Sequence, residues 1–266
     1  MILGGAASAP RDLALVRRQA RDRAGVVIRD MTSGWCGLGV WGPRATALLA
    51  PLTGADLSPA AFPPVASREL FVAGIPCLAL RLSYVGEDGW ELHAPTEYGG
   101  ALWDALWAAG EHHGLRAIGG GAVDSLRLER GFRSLGTELT AERTPHEAGL
   151  GFAVSRIRTD YVGYRALAEH VPEQVLSCLV LDDPGVMLMG KEPILEGNKV
   201  VGYVTSAEFG YTIGVSIGTG YLPVSLAVPG MRLAVEYFGA RTGATVAAEP
   251  LYGGGMVKMG RAGVTG

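Results

Sequence analysis

Tyr84 and Glu91 are the first pair in this chain whose types and spacing suggest chemistry. They flank the run Val85-Gly86-Glu87-Asp88-Gly89-Trp90. Asp-Gly between two extended apolar stretches is a hairpin signal. Closing the hairpin about Glu87 and Asp88 sets Gly86 against Gly89, Val85 against Trp90 and Tyr84 against Glu91. Residues directly opposite share a sheet face. A phenol and a carboxylate would then lie side by side next to Leu80 and Leu82, as in a pocket floor for a polar ligand. Further along, Arg127, Glu129, Arg130 and Arg133 crowd one short stretch. Glu129 and Arg133, four apart on a helix, read as a surface ion pair. Arg127 becomes a site residue if it points toward the hairpin.

Other candidates carry less. Gly119-Gly120-Gly121 before a helix could hold an anion at the helix N-terminus, but that run lacks a nucleotide fingerprint. His146 lies alone in a loop and reads as structural. The five histidines are scattered, so no dedicated metal site is expected. No nucleophile elbow, phosphate-binding loop or hydrolytic carboxylate pair is expected. Cys36, Cys77 and Cys178 are odd in number and widely spaced, which suggests reduced, packed thiols in a cytoplasmic protein.

The elements that must position these residues follow from periodicity and turn chemistry. Pro10 to Ala24 reads as a helix rich in arginine, a solvated face or a docking face for an acidic partner. Val26–Ile28 and Gly37–Trp41 read as strands, Gly42 to Leu52 as a small helix. Glu69–Val72 and Pro76–Tyr84 lead into the hairpin. Thr96 caps a helix to about His113, in which Leu102, Leu106 and Ala109 fall at helical spacing and Trp103 and Trp107, on a neighbouring stripe, read as core or domain-interface packing. Ala122 to Arg130 and Tyr161 to Leu167 are further helices. After Pro172, six short strands separated by turns indicate a small barrel or sandwich. The expected division is 1–171, an α+β region, and 172–266, a β-barrel. The 266 residues, 48% hydrophobic and 18% charged, can fill such a core. A net charge of -3 excludes a general nucleic-acid binder, and no apolar run reaches the roughly 18 residues of a membrane span.

Several stretches together resemble the aminomethyltransferase (glycine-cleavage T-protein) family, and among its members the folate-binding halves of dimethylglycine and sarcosine dehydrogenases. They are Leu82 to Leu92, Ser125 to Arg133, Glu147 to Phe152, Tyr161-Val162-Gly163, Gly202 to Ser206 and Pro250-Leu251-Tyr252, in family order. The resemblance implies an α+β fold with a C-terminal β-barrel and tetrahydrofolate as cofactor. It implies that Tyr84, Glu91 and Arg127 bind the pterin, with no catalytic residue assigned. The implied activity is one-carbon (aminomethyl or methyl) transfer, or service as a subunit of an amine-demethylating complex. The alternatives are a non-catalytic folate-binding accessory subunit, or a repurposed enzyme that has lost folate. The substrate would be a small amine or methyl donor.

Departures from the family pattern accompany the likeness. The chain begins after the aspartate thought to serve one-carbon transfer, so the first subdomain is expected to be incomplete. A partner chain or a homo-oligomer is then expected to cover it. Glu138 stands where an aspartate is commoner, and Gly253-Gly254-Gly255 replaces charged residues.

Overall fold

The computed structural model describes residues 1–155 and 157–253. Gly254 and Gly255 lie outside the described residues. Two compact units emerge: residues 1–83 with 87–116, and residues 84–86 with 117 onward.

The first unit holds helix α1 (Ala9–Gln19), strand β1 (Trp35–Trp41), helix α2 (Ala45–Leu49), strands β2 (Ser67–Val72), β3 (Ile75–Leu80) and β4 (Gly89–Pro95), and helix α3 (Gly99–Gly110). The strands form one antiparallel sheet in the order β1-β4-β3-β2. Leu48 and Leu49 of α2, Leu102 and Leu106 of α3, and Val72, Ala79, Trp90 and Leu92 of the sheet make its core around Phe62. Trp90 is fully buried because its neighbours complete it: Phe62 meets the ring edge-on at 4.8 Å and Thr46 accepts its Nε1–H at 3.1 Å. Val26–Ile28 is not a strand; Val26 and Val27 are exposed and pair with nothing in the sheet.

The hairpin register differs from the expected one. β3 pairs with β4 only through Leu78–Leu80 opposite His93–Glu91, so Leu80, not Tyr84, faces Glu91. Gly89 and Trp90 pair instead with Trp41 and Val40 of β1. The reason lies in Arg81. Its buried guanidinium donates to the carbonyls of Leu57 and Phe62 and pairs with Asp88 at 3.0 Å. Thr46 donates to the other Asp88 oxygen at 2.6 Å. These bonds draw both arms out of the ladder, and residues 81–88 become a wide loop.

The second unit holds helix α4 (Gly120–Glu129), helix α5 (Tyr164–Glu169) and strands β5 (Gln174–Leu181), β6 (Pro193–Glu196), β7 (Lys199–Gly210), β8 (Val215–Pro223), β9 (Arg232–Tyr237) and β10 (Ala240–Ala247). The six strands close into an antiparallel barrel in the order β10-β5-β8-β7-β6-β9, the last pairing with the first. Leu179, Ile194, Val204, Leu222, Val235 and Val246 fill it. Gly220 on β8 allows tight packing, since a Cβ there would meet Ile194 and the Tyr203 carbonyl, each 2.6 Å away. Among the described residues, no helix is long and apolar enough to cross a membrane.

Candidate functional site

The site is built around Arg127, on the buried face of α4 with Ser125 and Leu128. Ser125 anchors the helix to β7 by donating to the Phe209 carbonyl at 2.6 Å. Arg127 is 3% exposed. Its Nε donates to Asp124 at 3.1 Å, Nη1 to the Phe132 carbonyl and to Glu138, both at 3.2 Å, and Nη2 to Ser206 at 2.8 Å. An arginine fork has five N–H groups in a fixed plane, so four well-placed acceptors fix its orientation.

Glu138 is fully buried opposite that fork. One carboxylate oxygen accepts from Arg127, from the Ser134 N–H at 2.9 Å and from Thr137 at 3.0 Å; the other accepts from Thr219 at 3.2 Å. Its backbone carbonyl accepts from Tyr221 at 2.8 Å. Burial pushes the carboxyl up, but the Ser206 hydroxyl, the Arg127 charge and the Ser134 N–H outweigh it and hold Glu138 below the usual carboxylate range. The residue therefore stays ionised.

A β-bulge supplies the barrel's contribution. Val204 faces Gly220 and Ser206 faces Thr219, so Thr205 is the extra residue between them. A bulge re-aims the side chains that follow it. Thr205 bonds back to Thr219, and Ser206 receives Arg127. Glu208, two residues on, shares the strand face of Ser206. It is half-buried; burial raises its carboxyl and Asp124 raises it further, against the opposing pull of Arg127. Asp124, Glu138 and Glu208 thus surround one arginine.

Tyr84 belongs to this same unit. Its hydroxyl donates to the Arg133 carbonyl at 2.6 Å, and its ring stacks on Phe132 at 5.9 Å between centroids. Burial is the main cause that raises the phenol above its ordinary range. Arg127 holds the Phe132 carbonyl, so Tyr84 and Arg127 are tied together through residues 132 and 133. Glu91 lies on β4 in the first unit, between Leu80 of β3 and Gly39 of β1. Its carboxylate, 28% exposed, stands 3.4 Å from His93 Nε2.

Glu129 is not the surface partner of Arg133. It is fully buried, with one oxygen accepting from the Thr212 N–H at 2.7 Å. Arg133 instead donates to the Ala148 carbonyl and pairs with Glu249 at 2.6 Å. Two short motifs prove to be spelling alone. Gly214 to Gly218 reads Gly-x-Ser-x-Gly, but it runs into β8, where buried Ser216 donates to the Pro184 carbonyl. Gly37 to Gly42 reads Gly-x-Gly-x-x-Gly, but β1 is an antiparallel strand, not the parallel strand of a dinucleotide fold. Among the described residues, no group of three His, Cys, Asp or Glu could hold a metal ion.

Glu138, Ser206, Thr219 and Glu208 are site residues to which the sequence reading gave no role. Their sequence signals were Glu138 in place of an aspartate and Ser206 at the end of the family-like stretch Gly202 to Ser206.

Comparison with known proteins agrees with this architecture. Residues 1–157 match the GCVT N-terminal domain, and residues 174–253 match the glycine cleavage T-protein C-terminal barrel domain. Human mitochondrial dimethylglycine dehydrogenase is 36% identical over 256 residues, covering 94% of this chain and 30% of the human protein. An aminomethyltransferase from Symbiobacterium thermophilum is 37% identical over 242 residues, covering 88% of this chain and 64% of that protein. The chain thus spans less than two thirds of each of these relatives. The crystal structure of the glycine cleavage system aminomethyltransferase T from Bartonella henselae superposes with a TM-score of 0.81 at 25% identity, covering 93% of this chain and 67% of that one. Two family domains in order, on a mixed α/β region and a closed six-stranded barrel, place this chain in the glycine cleavage T-protein (aminomethyltransferase) family.

Proposed function

We propose that this chain binds tetrahydrofolate and takes part in one-carbon transfer, as an aminomethyl or methyl transferase or as a subunit of an amine-demethylating complex. The observation that carries this reading is the Arg127 cluster: a buried, fully oriented arginine that holds the backbone beneath the Tyr84–Phe132 stack. The acceptor set fits a flat heterocycle with N–H groups. Tyr84 offers an aromatic surface. Asp124 and Glu208 of the same unit are partly exposed carboxylates, each able to accept N–H bonds. When bound, tetrahydrofolate would supply the nitrogens that carry the one-carbon unit.

The residues of this chain then have separable tasks. Tyr84 of the second unit contacts the pterin; Glu91 of the first unit is a folate-binding residue by family likeness and is tested by its own substitution. Arg127 supports binding by fixing the Phe132 carbonyl, since its own guanidinium is committed to four acceptors. Glu208, raised by burial, holds a proton on its carboxyl more readily than an ordinary glutamate and is the acid best suited to proton handling in this cluster. A cytoplasmic location and an amine or methyl donor belong to the same proposal. So does the functional division at residue 172, just before β5.

The test is titration calorimetry with tetrahydrofolate, followed by an assay of methylenetetrahydrofolate formation. Saturable binding with turnover supports a transferase. Binding without turnover supports a folate-binding accessory subunit. Absence of binding overturns the folate reading.

A further inference from the structure

Two exposed helix faces in the first unit are complementary in charge and shape of side chain. On α3, Trp103 and Trp107 stack at 5.7 Å with their planes 12° apart, yet remain 45% and 40% exposed. Together with Asp104, Ala108 and Glu111 they line a shallow groove. This exposure corrects the expectation of core packing for the two tryptophans. Their i, i+4 spacing puts them on one stripe, while Leu102 and Leu106 occupy the inward face. Stacked indoles bordered by carboxylates are a receptor for guanidinium: the ring faces attract the cation and the carboxylates pair with it.

Helix α1 carries the matching chemistry. No residue of α1 is buried. Arg11, Arg17, Arg18 and Arg21 line a second groove with Ala14 and Leu15, and Leu15 is itself 45% exposed. An isolated helix of this length is marginal in water and is held mainly by packing of one face. We propose that α1 of one copy docks its arginines against the indole and carboxylate face of α3 on a second copy. Each copy offers both halves, so association depends on concentration.

The experiment is sedimentation velocity of the full 266-residue chain across a concentration series at low and high salt. The expected result is association that grows with concentration and is suppressed at about 0.5 M salt, where the Debye length falls to a few ångströms. Trp103→Ala with Trp107→Ala weakens the contact about tenfold or more, through lost cation–π pairing. Arg17→Glu with Arg18→Glu abolishes it, and so does Asp104→Arg with Glu111→Arg. A one-to-one mixture of those two charge-reversed chains restores association, because an intact α1 again meets an intact α3 and the two reversed faces carry opposite charges. All the substituted positions are at the surface, and circular dichroism checks that each variant is folded. A wild-type chain that stays monomeric throughout overturns the proposal. So does association insensitive to either charge reversal, sensitive to only one of them, or not restored by the mixture.

Discussion

The guanidinium of Arg127 and the carboxylate of Glu138 meet at 3.2 Å with side chains only 3% and 1% exposed. Neither charge could be kept at such depth alone. Serine, threonine and backbone groups from three segments complete the pair. Arg127→Met should therefore strand a buried carboxylate and destabilise the protein by about 3–5 kcal/mol. Arg127→Lys should recover little of this, because an ammonium cannot reach four acceptors in a fixed plane. Denaturant unfolding of the three proteins measures both effects.

The same pair predicts an acid limit to stability. The folded-state carboxyl of Glu138 lies below its ordinary value of 4.5. A depressed carboxyl contributes stability that is fully present above the unfolded value and is lost as pH falls through the folded one. Stability of the wild type should thus fall steeply below about pH 4.5. Glu138→Gln should be less stable at neutral pH and should show a shallower acid limb. Thermal unfolding across a pH series reads both slopes.

Tyr84 offers a separation of ring from hydroxyl. Tyr84→Phe keeps the stack on Phe132 and loses only the bond to the Arg133 carbonyl. It should cost about 1 kcal/mol of stability and leave most of the tetrahydrofolate affinity. Tyr84→Ala removes the ring as well, and affinity should fall by a further factor of about ten. Equal losses in the two variants by calorimetry would show that the ring contributes nothing to the ligand.

Glu91→Ala should behave in the opposite sense. The side chain is partly exposed, and its ion-pair neighbour among the described residues, His93, is 3.4 Å away. Stability should change by about 0.5 kcal/mol or less. Loss of a charged acceptor should still weaken tetrahydrofolate about tenfold or more. Unchanged affinity would remove Glu91 from the folate-binding set.

Gly89 tests the wide loop. A Cβ at this position would run into the Trp41 ring, whose Nε1–H donates to the Leu82 carbonyl at 3.1 Å. Gly89→Ala should displace that ring, destabilise the first unit by about 1–3 kcal/mol and change the tryptophan fluorescence. An unaltered emission spectrum at full stability would show that the loop yields instead.

Alternation and turns made the barrel strands legible, because each strand declares its own inward face. The hairpin register was not legible from the hairpin. It depends on Arg81 finding the carbonyls of Leu57 and Phe62, contacts that no local pattern records. Glu129 was misplaced for a related reason: helical spacing pairs it with Arg133, but Thr212 and Glu249 claim the two residues instead. The tryptophan stripe of α3 sits beside the true core stripe, and hydrophobicity alone does not tell an inward face from an outward one. Arg127 was found through family likeness. Ser206 ended a family-like stretch, but its role and that of Thr219 become visible only once β7 and β8 close around Glu138.

Closure of the barrel sets how the second unit opens. Each of its six strands has a strand neighbour on both sides, so none of them fronts an open sheet edge. Deuterium uptake at Leu179, Val204 and Leu222 should follow cooperative opening, while β2, an outer strand of the four-stranded sheet, should label early. The arginine clasp at Glu138 rests on Ser206 of β7 and Thr219 of β8, and its geometry should persist for as long as the ring of strands stays shut.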